Sequence, residues 1–136
     1  TIRRTAMNVT KGNDLHISAP DRVGLLADVA GRLKSQGINI LGISAYHRDK
    51  VAWLIMHTSD PVKTADILRD FTVKWQEVLV IECPTGVGSL AQIAGKLSAA
   101  GINILYCYGS VGDGAMARLI VDTANNDKAL EVLKQL

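Results

Sequence analysis

The chain has 136 residues, 48% of them apolar, which is enough for one ordinary domain or two very small ones and too hydrophobic for disorder. Fifteen basic against thirteen acidic residues leave a net charge of +2, too small and too scattered for a nucleic-acid footprint. No apolar run approaches the ~20 residues of a membrane-spanning helix, and the two cysteines, Cys83 and Cys107, lack metal-ligand spacing and read as reduced thiols.

In chain order, Arg3-Arg4 reads as part of a solvated tail. A first strand is predicted over Leu15–Ala19, ended by Pro20, which has no N–H to give. A helix starts near Val23, with Leu26, Val29, Ala30 and Leu33 at spacings of three and four, and Gly37 closes it. A second strand runs from Ile38, turns at Asp49-Lys50 and returns over Val51–Met56. A helix over Val62–Arg69 and a strand over Thr72–Trp75 follow. That strand leads into another over Val78–Cys83, ended by Pro84. A helix from near Val87 carries Leu90, Ile93, Ala94 and Leu97, and stops at Gly101. A strand from Ile102, a two-residue hairpin signal at Asp113-Gly114, a strand over Ala115–Val121 and a helix over Asn126–Gln135 complete the series.

This series contains a duplication. Residues 20–41 and 84–105 are identical at 13 of 22 positions without a gap, at a constant offset of 64. The predicted fold is therefore α+β: two ferredoxin-like βαββαβ modules, residues 10–76 and 77–136, each an antiparallel sheet with helices on one face. The second module stops at Leu136, short of its last strand, which either lies further on or is supplied by residues 2–9. Ile38 and Ile40 on one side against Leu41 and Ile43 on the other give the second strand two apolar faces. Cover by the other module or a second chain is the expected cause, so a homodimer is predicted. Gly31 and Gly95 lie mid-helix, where close packing is the expected reason.

The chemistry lies at the first strand-to-helix turns, Pro20-Asp21-Arg22-Val23-Gly24 and Pro84-Thr85-Gly86-Val87-Gly88. A helix N-terminus with free N–H groups accepts a carboxylate or phosphate. The same glycines also suit a tight turn, and the residues alone leave both readings open. Asn39 and Asn103 open the second strands, where each either bonds nearby backbone or reaches a ligand held at the turn. Gly86-Val87-Gly88-Ser89-Leu90-Ala91 fits a dinucleotide-binding fingerprint. Against it, the first copy has only Gly24 of the pair, no acidic residue ends the second strand, and the following strand turns back as a hairpin. No catalytic set assembles and no metal or cofactor is expected. His16, His47 and His57 fall on or beside predicted strands and have no matching His at the constant offset, where Val80, Val111 and Val121 stand; Trp53, matched by Ala117, and Trp75 read as core or interface residues.

The pattern Asp21-Arg22-x-Gly24-x-Leu26 with Gly37-Ile38-Asn39-Ile40, repeated as Thr85-Gly86-x-Gly88-x-Leu90 with Gly101-Ile102-Asn103-Ile104, resembles the ACT domain, and the resemblance covers residues 14–136 as a tandem pair. It implies a regulatory, non-enzymatic, amino-acid-binding protein in the cytoplasm. The implied ligand is a small amino acid or related carboxylate, and neither nucleic acid nor membrane is a partner. Position by position, the implied ligand contacts are Asp21, Arg22, Val23, Gly24 and Leu25, then Thr85, Gly86, Val87, Gly88 and Ser89, with Asn39 and Asn103. Val23 and Val87 depart from the proline common in the family, and Thr85-Gly86 replaces Asp-Arg in the second copy. A pairing scaffold for an enzyme or regulator, or a regulatory fragment of an amino-acid biosynthetic enzyme, is the alternative.

Overall fold

The computed structural model describes residues 7–85, 88–111 and 116–136. Arg3-Arg4, Gly86, Val87 and the predicted turn at Asp113-Gly114 lie outside these residues. The elements are β1 (Asn8–Pro20), α1 (Leu25–Ser35), β2 (Ile40–Arg48), β3 (Val51–Thr58), α2 (Pro61–Ile67), β4 (Thr72–Pro84), α3 (Ser89–Ala99), β5 (Ile104–Val111), β6 (Met116–Thr123) and α4 (Asn126–Leu133). The α+β class and the two ferredoxin-like repeats stand. Two compact units form, residues 13–76 (the first unit) and residues 77–136 with the described residues up to Gly12 (the second unit). Strands lie in the order β2-β3-β1-β4 in the first and β1-β4-β6-β5 in the second. The boundary falls inside two continuous strands, so each of β1 and β4 serves both units.

Each core follows from period-two strands packing under period-3.6 helices. In the first unit Leu15, Ile17 and Ala19 of β1 and Ala52, Leu54 and Met56 of β3 pack with Leu25, Val29 and Leu33 of α1 and with Leu68. In the second, Leu79, Ile81 and Cys83 of β4 pack with Ile93 and Leu97 of α3, Ala129 and Leu133 of α4, and Val9 from the start of β1. Lys11, also in that early segment, forms ion pairs with Asp127 and, at 3.7 Å, with Glu77.

The structure corrects the sequence reading in four places. Leu26 and Leu90 are 47% and 56% exposed, and Leu25 at 4% takes the inward position in α1. A Cβ on Gly31 or Gly95 would meet nothing within 4 Å, so no close packing in the described residues requires those glycines. Ile40 and Ile43, read as opposite faces of β2, lie on the same face. A register shift between Ile40 and Gly42 re-phases the strand, so that Ile40 pairs with Thr58 and Ile43 with Met56, both on the helix side. The same shift recurs between Ile104 and Tyr106. On the opposite face of the second unit, Val78, Val80 and Ile120 are buried with Tyr106 and Tyr108 of their own unit packed on them.

The fourth correction concerns the repeat itself. Ala19 pairs with Ala52 and Cys83 with Ala117, so the offset of 64 becomes 65 beyond the hairpin. The counterpart of Trp53 is therefore Arg118, and that of His57 is Asp122. His57 places Nδ1 3.2 Å from Oδ1 of the wholly buried Asp14. In the second unit Asp122 accepts from the Asn126 amide at 3.2 Å instead.

Candidate functional site

The two strand-to-helix turns share a backbone device. Gly24 and Gly88 precede α1 and α3 at φ 88° and 96°, a left-handed conformation that favours glycine, and no side chain caps either helix. The other two helices are capped by side chains: Asp60 accepts from the Lys63 N–H and Asn125 from the Lys128 N–H. At the first turn Gly24 accepts the Asp28 N–H at 2.9 Å and Arg22 accepts the Leu25 N–H at 3.3 Å. The N–H groups of Leu26 and Ala27 have no acceptor among the described residues. A cavity of about 470 Å³ opens there, lined by Asp21, Arg22, Gly24, Leu25 and the facing Tyr46, His47 and Trp53.

Hairpin geometry sets the far wall. Asp49 and Lys50 both adopt positive φ, 52° and 65°, which joins β2 and β3 by a tight turn. The Lys50 carbonyl accepts the Asp21 N–H at 2.9 Å, so the hairpin and the strand-to-helix turn are tied directly. The pairing of Pro20 with Val51 then brings the ends of β2 and β3 beside the turn. Trp53, read from sequence as a core or interface residue, lines the cavity instead, as does His47, whose Nδ1 stands 3.4 Å from Oδ2 of Asp21.

A charged chain fixes the helix side of this cavity. Arg22 donates to Asp28 at 2.7 Å, Arg32 donates to Asp28 at 3.0 Å and to Asp70 at 2.7 and 3.1 Å, and its guanidinium lies 5.0 Å over the Phe71 ring. The hydrogen bonds from Arg32 hold the Asp28 and Asp70 carboxyls below the usual carboxylate range, Arg22 adding to the effect on Asp28. The second turn has a cavity of about 470 Å³ with a different lining: Cys83, Pro84, Leu90, Ile93, Cys107 and Leu119 among others. Ser89 donates there to the Pro84 carbonyl at 2.9 Å. Burial pushes the Cys83 thiol up, so it stays protonated and behaves as apolar wall.

Asp21, Arg22, Gly24 and Leu25 converge on the first cavity, and Thr85 and Ser89 line the second, beside Gly88. Val23 is fully exposed at the edge of the first turn. Asn39 and Asn103 are not brought to these turns. Asn39 sits beside Ser59 at the Thr58 end of β3, seven residues from Val51 at the turn end, which is about 23 Å of extended strand. Asn103 borders a separate hollow with Gly101 and Ile102. Tyr46, His47, Trp53, Cys107 and Arg118 were missed because they reach the sites through strand register, which only the hairpin signal could have indicated. Among the described residues no three His, Cys, Asp or Glu side chains gather as for a metal ion. No helix among them is long and apolar enough to cross a membrane.

Residues 15–72 match the model of the ACT domain. Protein BT0572 from Bacteroides thetaiotaomicron is 31% identical, aligned over 93% of this chain and 89% of its own, with a TM-score of 0.85. The regulatory subunit of aspartate kinase from Thermus thermophilus aligns over 96% of both chains at 13% identity and a TM-score of 0.69. Aspartokinase alpha and beta subunits align over 96% of both chains at 17% identity and a TM-score of 0.67. These last two likenesses show a shared fold. No curated protein sequence matches the chain. The chain carries an ACT domain over residues 15–72 and belongs to one family with the Bacteroides protein.

Proposed function

We propose that this chain is a tandem ACT-domain regulator, without catalysis of its own, that binds a small amino acid or related carboxylate at its two strand-to-helix turns. The observation that carries this reading is the uncapped, left-handed start of α1 and α3, beside α2 and α4 that are both capped by side chains. Bare N–H groups and the positive end of the helix dipole suit a ligand carboxylate. Asp21, at the rim of the first cavity, would face the ammonium group. Thr85, Gly88 and Ser89 would form the corresponding contact set at the second turn. The Thermus protein of the same fold is, by its name, a regulatory subunit, which fits the regulatory reading.

Asn39 is exposed, its side-chain amide makes no hydrogen bond among the described residues, and it stands far from the turn of its own unit. In our reading it, and Asn103 likewise, meets a ligand only when a second copy presents it, so the protein acts as a homodimer and binding favours the assembled state.

A pairing scaffold is the second reading. It draws on the exposed stripe of Leu26, Ala27 and Gly31 on α1, repeated as Leu90, Ala91 and Gly95 on α3. A thermal-shift screen of the twenty amino acids separates the two. Binding at 100 times Kd stabilises the fold by about 2.7 kcal/mol, whereas a scaffold shows no shift with any of them at millimolar concentration.

A further inference from the structure

The two turn cavities have similar volumes and unlike walls, and one substitution in the repeat accounts for much of the difference. At the first position of the helix, Leu25 in the first unit is 4% exposed and packs into the core. Its counterpart in the second unit is Ser89, whose hydroxyl turns back to the Pro84 carbonyl. The serine side chain fills less of this position than the leucine does. The linings record this. Ile93, one helical turn further along α3, lines the second cavity, and so do Cys83 and Cys107; their counterparts Val29, Ala19 and Ile43 do not line the first.

The rims differ in the opposite sense. Asp21, Arg22 and His47 border the first cavity, with Arg22 held by Asp28. Thr85 takes the place of Asp21 in the second unit. Among the described residues the charged groups near that cavity are Arg118, which lines it, and Glu82, 3.8 Å from the Arg118 guanidinium. Gly109, also in the lining, is tightly surrounded: a Cβ there would lie 3.2 Å from the Arg118 carbonyl and from a Leu119 methyl group. Among the described residues the second cavity is walled chiefly by Cys83, Ile93, Cys107 and Leu119, beside the start of α3 at Ser89.

We propose that the two cavities take different ligands, that the second accepts an amino acid with an aliphatic side chain of leucine size, and that Ser89 sets this preference. The inference rests on the reading of the turns as amino-acid sites. A ligand carboxylate at the start of α3 would direct its side chain into the volume that Leu25 fills in the other unit. Burying the three extra carbons of leucine relative to alanine, at ~0.8 kcal/mol each, corresponds to roughly 50-fold tighter binding.

Calorimetric titration of the full chain with L-leucine, L-alanine and L-aspartate, repeated on Ser89→Leu and Ser89→Val, tests it. The expected result is leucine binding more than tenfold tighter than alanine, weakened by Ser89→Val and abolished by Ser89→Leu. Melting of the two variants at or above the wild-type temperature shows that they fold, and Ser89→Val carries the test if Ser89→Leu does not. Leucine binding no tighter than alanine, or undiminished in a folded variant, overturns the assignment. If aspartate or another amino acid binds while leucine has no preference, only this inference falls. If none of the twenty binds, the reading of the turns as amino-acid sites falls with it.

Discussion

Ser59 engages both backbone polar groups of Asn39: the Asn39 N–H donates to the Ser59 hydroxyl at 2.9 Å, and the Asn39 carbonyl accepts the Ser59 N–H at 2.9 Å. The second unit keeps the backbone half of this arrangement, with Asn103 accepting from Ala124 at 2.9 Å. Local structure is therefore held by the backbone of Asn39, and its side chain is left for other work. Asn39→Ala should change unfolding free energy by less than ~0.5 kcal/mol, and Ser59→Ala should cost ~0.5–1.5 kcal/mol through the lost hydroxyl acceptor. Urea denaturation measures both. A loss above 1 kcal/mol for Asn39→Ala would make the amide a structural cap.

Gly24 and Gly88 are required by their φ and not by crowding, because a Cβ on either would meet nothing within 4 Å. Gly24→Ala should cost ~1–2 kcal/mol of stability from left-handed strain alone. Gly24→Asn should cost less, since asparagine enters this conformation more readily. Equal losses for the two variants would point to a steric role that the open surroundings do not explain.

Gly31 and Gly95 invert that expectation. Each is exposed within a regular helix, with free space where a methyl group would go. Gly31→Ala and Gly95→Ala should each stabilise the chain by ~0.5–1 kcal/mol. A lower melting temperature, or a shift towards smaller species in light scattering, would show that this face is covered in the assembled protein and would favour the pairing role.

Arg32 joins Asp28 to Asp70, and both carboxyls are held below their ordinary value by its hydrogen bonds. The unfolded chain titrates these groups near ~3.9. Their contribution is therefore complete above that pH and is lost as pH falls through the lower folded values. The difference in melting temperature between wild type and Arg32→Gln should be constant from neutrality to roughly pH 5 and shrink below about pH 4. A difference that is flat through acid, or grows there, would contradict the linkage.

The repeat made the fold legible, because thirteen shared residues pinned α1 against α3 and the start of β2 against that of β5. Beyond the hairpin, one extra residue moved the counterpart of His57 from Val121 to Asp122, and a constant offset could not detect it. The start of β1, Thr10-Lys11-Gly12-Asn13, is polar and carries no β signal, yet it pairs within the sheet. The bulge at Leu41 hid the true phase of β2. At the candidate site the glycine turns were legible as chain punctuation. His47 and Trp53 were not, since they arrive by pairing across the sheet.

The most direct measurement of the central claim is an amide NMR titration of the full chain with the amino acid that gives the largest thermal shift. Saturable changes are expected on Gly24, Leu26 and Ala27 or on Gly88, Leu90 and Ala91, where no side chain caps the helix start. Changes of the same size at the side-chain-capped starts of α2 and α4, or no saturable change at the α1 and α3 starts with any amino acid, would contradict it.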